Sequence, residues 1–524
     1  MTRCKLVLLL VLTTLLILPP GCRRRSDAFV IALGDNIRTI DPIGSPSVDA
    51  ASERLRTLIF NSLVKKDEKF DYVGELASDI KRSDDGLAFT FTLHDGVKFH
   101  NGQPLTSADV KYTLDLVFSS NFAKSASFYK SGAEKRSYIK SVEAPDARTV
   151  VVTLIEPWVG LLSNLVPVAI IPKDSYESQK THPLGSGPFK FVRYDNAQQV
   201  CDLEAFPEYW EGAPKLQTVR VRVMSDMNQL QAELQAGRVD IAPMPTSLSP
   251  DAVKRLEGDP NLQVKVFNGS NVNLLTINTA SPPLDNVKVR QAIAYAIDRE
   301  NLIKNLLLGL AKIAHSIIPE ESWAYSAGQT YSYNPVRAKQ LLDEAGFRDP
   351  DGDGPRMRFD KPIVYKVSGS SIAGRQYAGV IQNYLKEVGI PVEIQTPEQN
   401  TLFDELKRGN FQISYSQWVG GNQDPIFYKD LFATSEIPSE ARPSRNRSRY
   451  SNKDLDALLG EAVNTYDRQK AKDLYTKIQD IVSRDVPVYP LWYQSNVVIA
   501  RKNVQNIQVN ASGDWGFVRN LSRN

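Results

Sequence analysis

Residues 89–115 read FTFTLHDGVKFHNGQPLTSADVKYTLD and carry the densest structural signals in the chain. Apolar residues alternate with threonines across 89–93, which is the period-two pattern of a strand with one buried face. Two Asx-Gly pairs within 95–102 predict tight turns, because glycine adopts positive φ at little cost. Thr106 and Asp109 have the spacing of a helix cap. The segment therefore predicts a strand, two turns and a capped helix in that order.

Two more helices are predicted from caps and periodicity. The segment 334–346 opens with Asn334 as N-cap and Pro335 at the first helical position, and its alanines and leucines share one face. Apolar residues recur at helical spacing over 371–389, and the β-branched run 392–396 predicts a strand directly after it. Helices that alternate with short strands predict an α/β protein with sheets covered by helices.

The first 22 residues have the pattern of an export signal. Arg3 and Lys5 precede an apolar run at 6–18, which is too short to span a bilayer as a helix. Gly21 and Cys22 close the run and resemble the end of a bacterial lipobox, although prolines occupy the two preceding positions. We expect lipidation of Cys22 and anchoring to a membrane; ordinary cleavage nearby or an uncleaved anchor are the alternatives.

Composition is that of an ordinary globular chain with room for two or three lobes. The chain has 524 residues, 42% of them hydrophobic, and a formal net charge of +3. No clustered basic footprint stands out, so nucleic-acid binding is not expected. Of the 3 cysteines only Cys201 lies beyond residue 22. A disulfide within the mature chain is therefore excluded, and we expect Cys201 to be a buried strand residue.

Catalytic and metal-binding motifs are scarce. The sequence contains no phosphate loop, HExxH, CxxC or GxSxG motif, and its 4 histidines do not share metal-ligand spacing. One segment, 349–360, reads DPDGDGPRMRFD and approximates a calcium loop with Asp349, Asp351, Asp353 and Asp360 as ligands. The alternative is an acidic, glycine-rich connection between a helix and a strand. We expect no resident cofactor.

The order of strand, DG turn, NG turn and TSADV helix resembles the signature of extracytoplasmic solute-binding proteins of family 5, the oligopeptide, dipeptide and nickel receptors of ABC importers. Six other family-like blocks follow in family order: LIFNSLV at 58–64, PLGSGPFKF at 183–191, PEYWEGAPKL at 207–216, LQAGRVDIAP at 234–243, PPLDNVKVRQAIAYAIDRENLI at 282–303 and AKQLLDEAGF at 338–347.

The resemblance implies a periplasmic-binding-protein-like fold of type II (cluster C). Two lobes clamp the ligand and a third is an addition. Family analogy sets the expected borders: lobe I at 28–57, 178–270 and 490–524, lobe II at 58–177, and lobe III at 271–489. It also implies a monomer outside the cytoplasm that captures a solute between lobes I and III by hinge closure. The closed form would deliver it to a membrane permease with separate ATPase subunits.

Ligand contacts are implied mainly within 411–428, which reads FQISYSQWVGGNQDPIFY. Peptide-binding relatives place an aspartate where this chain has Gly421, and that aspartate meets the peptide's amino terminus. Asp424 is a substitute acceptor or a brace for its own turn. The full set of expected contacts is Trp418, Gly420, Gly421, Asn422, Asp424, Tyr415, Arg375, Tyr129, Ser45 and Pro46; the aromatic residues and Arg375 are alternatively core or rim residues.

The predicted function is capture of peptides or a peptide-like solute for import, without catalysis. An oligosaccharide or a metal chelate is the alternative ligand on the same fold. Two readings from other classes remain open: a secreted hydrolase with paired carboxylates, and a sensor lipoprotein that works without a transporter.

Overall fold

The computed structural model describes residues 28–45, 49–130, 136–349, 358–418, 424–440 and 444–524. Its strands are β1 Phe29–Leu33, β2 Val64–Lys66, β3 Tyr72–Gly74, β4 Ala77–Arg82, β5 Ala88–Leu93, β6 Ile139–Glu143, β7 Thr149–Leu154, β8 Phe189–Asp195, β9 Val200–Ala205, β10 Thr218–Val223, β11 Ile241–Pro243, β12 Leu262–Ile277, β13 Ala311–Ile313, β14 Ile363–Lys366, β15 Val392–Gln395, β16 Ile413–Trp418, β17 Val488–Arg501, β18 Val504–Gln505 and β19 Ser522–Arg523. Its helices are α1 Ala50–Ile59, α2 Ser107–Ser119, α3 Leu161–Leu165, α4 Tyr176–Gln179, α5 Met227–Gln235, α6 Pro250–Glu257, α7 Val287–Ala296, α8 Arg299–Asn305, α9 Pro335–Glu344, α10 Ile372–Glu387, α11 Gln399–Arg408, α12 Phe427–Phe432, α13 Lys453–Ala462 and α14 Arg468–Asp485.

The segment 89–115 folds as its sequence predicts. Alternate residues of β5 are buried, and Gly96 and Gly102 adopt positive φ in the two turns. At the start of α2 the Asp109 carboxylate accepts hydrogen bonds from the Thr106 amide at 2.8 Å and from its hydroxyl at 2.9 Å. The other Asp109 oxygen accepts from the Lys173 amide at 2.8 Å. The capping residue Asp109 therefore also connects α2 to the backbone at Lys173.

The other local predictions are confirmed. Asn334 caps α9 by accepting a hydrogen bond from the Arg337 amide at 2.9 Å. Helix α10 ends before Gly389, which has a φ of 87°, and β15 follows. Cys201 is fully buried in β9, where burial raises the pKa of its thiol to about 12.

A mixed sheet of eleven strands dominates the described part of the chain. Its order is β15-β14-β16-β12-β17-β11-β1-β10-β9-β8, and β13 pairs beside β17. Helices alternate with these strands, so the α/β fold class is confirmed.

Two long strands run through both halves of this sheet. The antiparallel pair β12 and β17 extends from Leu262, opposite Arg501, to Thr276, opposite Val488. Its register shifts first between Phe267 and Asn271 and again between Asn273 and Leu274. On one side of the first shift β17 pairs with β11, and on the other β12 pairs with β16. The pair is therefore the shared element between two halves of one sheet.

Smaller sheets flank this core. A four-stranded sheet, β4-β5-β7-β6, and the hairpin β2-β3 lie within 58–177. Their buried side chains join those of β1, β10 and 498–521 in one continuous hydrophobic cluster, whereas the helices and strands of 271–489 pack into separate clusters. The three lobe borders stay predictions. Among the described residues, no helix is apolar and long enough to cross a membrane.

Candidate functional site

The predicted ligand wall follows the ends of two parallel strands. Strands β14 and β16 pair in parallel, and they end at Lys366 and Trp418. Arg375 lies in the first turn of α10, shortly after β14, and Asp424 follows β16. Binding crevices of open α/β sheets lie beyond the carboxyl ends of their strands. The topology therefore brings these three predicted contacts to one edge of the sheet.

Trp418 and Tyr415 face opposite sides of that sheet. They are three positions apart in β16, and successive strand side chains alternate between faces. Trp418 packs edge to face on Phe427 with ring centroids 6.4 Å apart. Tyr415 lies against Tyr377 of α10 and donates a hydrogen bond to the Asn273 side-chain oxygen at 2.5 Å. The two residues do not form one continuous wall, because a spacing of three residues along a strand places their side chains on opposite faces.

Asp424 braces its own turn and also makes a long-range contact. One carboxylate oxygen accepts a hydrogen bond from the Ile426 amide at 2.8 Å. The other accepts from the hydroxyl of Tyr72, which lies 352 positions earlier in the chain. Burial, together with the neighbouring carboxylate, raises the pKa of Tyr72 well above its usual range, so the phenol keeps its proton and donates.

The β2-β3 hairpin, residues 64–74, makes further contacts with the segment 271–489. The Trp323 amide donates to the Lys69 carbonyl at 3.0 Å. Asp71 pairs with Arg468, whose guanidinium lies 3.9 Å from the centre of the Trp323 ring. Sequence reasoning missed these residues, because no local pattern links positions that lie hundreds of residues apart.

Arg375 and Tyr129 bond to nearby carbonyl groups. Arg375 donates to the Gly369 carbonyl in the loop after β14, at the same sheet edge as Trp418. Tyr129 donates to the Phe118 carbonyl and lies within the 58–177 segment. Both side chains are half-buried.

Ser45 lies in a loop held by a buried lysine. The Ser45 carbonyl accepts a hydrogen bond from the Ala123 amide at 3.2 Å. The Lys124 ammonium donates to the Pro42 carbonyl at 2.8 Å and lies 2.7 Å from a Glu53 oxygen. Burial lowers the pKa of Lys124 to about 8, although Glu53 opposes the shift. This pair of a buried lysine and a half-buried glutamate fixes the loop that contains Ser45, one of the contacts that the family resemblance implies.

The HNG turn of the opening segment packs on the GSG block. His100 donates from Nε2 to the Gly187 carbonyl at 3.0 Å, and its Nδ1 accepts from the Gly185 amide at 3.3 Å. Burial lowers the pKa of His100 to about 4. Gly187 also donates to the Ile59 carbonyl at 2.8 Å. Two of the sequence blocks thus form a structural junction.

A second polar group lies at the same junction. The Asn61 amide donates to Glu75 at 2.8 Å and to Tyr209 at 3.2 Å, while its oxygen accepts from Trp210 and Ser186 at 3.3 Å each. Burial raises the pKa of Glu75 despite these hydrogen bonds. Residues of three family-like blocks therefore hold the scaffold together.

Several sequence predictions lie outside the described residues. They are Cys22, Pro46, Gly420, Gly421, Asn422, Asp351 and Asp353. Asp349 and Asp360 are described, but the calcium loop between them remains a prediction. Among the described residues, no three acidic, histidine or cysteine side chains form a metal-binding group.

Comparison with known proteins shows which protein family this chain resembles. The family described as bacterial extracellular solute-binding proteins, family 5 Middle, matches residues 71–439. The oligopeptide-binding protein AppA of Bacillus subtilis is 30% identical over 491 residues, which covers 89% of this chain and 87% of that protein.

Solved structures agree in fold. AppA from Bacillus subtilis in complex with a nonapeptide superposes with a TM-score of 0.70 at 27% identity, covering 95% of this chain and 99% of that one. NikZ from Campylobacter jejuni in complex with Ni(L-His) superposes with a TM-score of 0.74 at 25% identity, with the same coverage.

Proposed function

Since the chain belongs to family 5 of the bacterial extracellular solute-binding proteins, we propose that it captures a peptide or peptide-like solute and delivers it to the permease of an ABC importer. The observation that carries this proposal is the likeness over 89% of this chain to AppA, whose solved structure is a complex with a nonapeptide. The permease and its ATPase subunits form a separate complex, and the solute-binding chain leaves its ligand unchanged.

Capture proceeds by hinge closure between two bodies. Segments 28–57, 178–270 and 490–524 form lobe I, 58–177 forms lobe II, and 271–489 forms lobe III. The shared hydrophobic cluster of the first two supports movement as one body, and the separate clusters of 271–489 support a second. Strands β12 and β17 connect the bodies, and the first of their two register shifts lies between Phe267 and Asn271. The ligand biases the equilibrium by preferring the closed form.

The β2-β3 hairpin closes one end of the cleft. Its contacts with Asp424, Arg468 and Trp323 join lobe II to lobe III. A ligand beside Trp418 is then shielded from water, which strengthens polar contacts in the site.

Export and anchoring complete the proposal. The leader 1–22 directs the chain out of the cytoplasm, and Cys22 carries a lipid that holds it at a membrane as a monomer. Mass spectrometry of the mature N-terminus from cells with and without globomycin tests this point. An unmodified N-terminus would contradict lipidation and leave the receptor function intact.

The decisive experiment has two steps. Native mass spectrometry of freshly purified protein identifies a co-purified solute, and calorimetry with synthetic peptides then compares wild type with Trp418→Ala. We expect at least tenfold weaker binding, about 1.4 kcal/mol, because the indole provides a flat apolar contact at the sheet edge. Tyr333→Ala, an exposed aromatic at 41% of its surface, is the control. Unchanged affinity in Trp418→Ala, with an unchanged melting temperature, would remove Trp418 from the site.

A metal chelate is the second candidate, favoured by the likeness to NikZ with Ni(L-His). Native mass spectrometry distinguishes a bound peptide from a bound metal chelate, since the mass of a chelate includes a metal ion with its characteristic isotope pattern. Recovery of the bound solute intact after long incubation distinguishes a receptor from a hydrolase.

A further inference from the structure

Lys66 and Tyr72 face the same carboxylate from the β2-β3 hairpin. They are directly opposite each other in the two strands, so their side chains project from one face. Tyr72 donates its hydroxyl hydrogen to Asp424. The Lys66 ammonium lies 5.8 Å from the centre of the Tyr72 ring and 5.9 Å from that of Phe70. The hairpin therefore presents a hydroxyl donor and a cation on the side where Asp424 lies.

Electrostatics link Lys66 to Asp424. Burial lowers the pKa of Lys66, and the negative charge of Asp424 partly offsets this effect. A carboxylate at a partly buried site needs a compensating charge or hydrogen-bond donors. Asp424 has donors from Tyr72 and from the Ile426 amide, and it has the field of the Lys66 ammonium.

This carboxylate is the only one in the predicted ligand wall. The segment 411–428 contains no acidic residue other than Asp424. A ligand ammonium arriving here meets one carboxylate that already faces a lysine. Two cations would then share one anion in surroundings of low dielectric constant, where their mutual repulsion is strong.

We propose that Lys66 is a specificity residue that takes the place of a ligand's cationic amino terminus at Asp424. The chain then selects peptides whose end at this point carries no positive charge, such as N-acylated peptides. This inference rests on the proposed peptide-binding function and narrows its substrate class.

The test uses two probes that differ only in charge. One is a pool of synthetic pentapeptides with free amino termini, and the other is the same pool N-acetylated. Calorimetry and native mass spectrometry measure the affinity of the full mature chain for each pool. We expect wild type to bind the acetylated pool at least about tenfold more tightly, because acetylation removes the charge that Lys66 repels.

Variants at Lys66 and Lys65 distinguish an effect of the Lys66 charge from an effect on folding. Lys66→Met should reduce the preference for acetylated peptides to about unity or reverse it, and Lys66→Arg, which keeps the cation, should retain it. Lys65→Met is the matched control: Lys65 pairs with Glu211 at 3.2 Å and is 41% exposed, so the preference should stay unchanged. Melting temperatures of all three verify folding.

The outcomes are distinct. Equal affinity of wild type for both pools, or an unchanged preference in a folded Lys66→Met, would overturn the inference and leave the peptide-receptor function standing. If Lys66→Met does not fold, loss of the preference in folded Lys66→Arg would also overturn it. If neither pool binds, the peptide function fails and the inference fails with it.

Discussion

His100 predicts a measurable pH dependence of stability. Its side chain is 8% exposed, and both ring nitrogens bond to the backbone of 185–187. Nδ1 accepts a hydrogen bond, so protonation of that atom would remove the acceptor and bury a charge. The neutral ring is therefore the form that the fold requires.

The magnitude follows from linkage. Burial lowers the pKa of His100 from 6.5 to about 4, which corresponds to about 3 kcal/mol at ~1.4 kcal/mol per pH unit. The folded form binds fewer protons than the unfolded form between these values. The contribution of neutral His100 to the free energy of unfolding is thus fully present above pH 6.5 and is lost as the pH falls towards 4. Between pH 7.5 and pH 5 we expect a loss of about 2 kcal/mol from this residue.

Urea unfolding of wild type and His100→Gln at pH 7.5 and pH 5 measures this loss. The variant has no ring to titrate, so the stability difference between the two proteins should shrink by about 2 kcal/mol at the lower pH. Carboxylates that titrate in this range affect both proteins equally and cancel. His182→Gln, at an exposed histidine, is the control and should follow wild type. If wild type and His100→Gln lose the same stability between the two pH values, the argument is wrong.

Two pairs of substitutions test packing at the junction and within residues 271–489. Gly187→Ala should lower the free energy of unfolding, measured in urea, by about 1–3 kcal/mol, because a Cβ would lie 2.6 Å from the Ile59 carbonyl carbon. The control Gly379→Ala, in open space within α10, should instead raise that free energy by up to about 1 kcal/mol. Equal effects of the two substitutions would refute the steric reason. Tyr365→Phe should leave the protein's stability in thermal unfolding unchanged or raise it by about 1 kcal/mol, since the fully buried Tyr365 hydroxyl has no partner among the described residues. Tyr415→Phe loses a hydrogen bond and should lower the stability by about 1 kcal/mol. A destabilised Tyr365→Phe would show that the Tyr365 hydroxyl has a hydrogen-bond partner.

Local structure was predictable where the signal spans a few residues. The alternation in 89–93, the positive φ at Gly96 and Gly102, and the Asn334 cap all depend on neighbours within one turn or one strand. Family blocks in constant order identified the class, which the match over 71–439 confirms. The roles of these blocks were not predictable from their order, because His100 and Asn61 act through partners in other blocks.

The candidate site was predictable only in part. The sequence by itself determined that 411–428 has one acidic residue and contains Tyr415 and Trp418. Only the tertiary structure brought Tyr72 to Asp424 across 352 positions and set Lys66 beside it, and it divided Tyr415 and Trp418 between two faces of the sheet. The physical reason is range: helix caps, turns and alternation are fixed by adjacent backbone geometry, whereas the charges around a carboxylate depend on which distant strands the whole chain packs together.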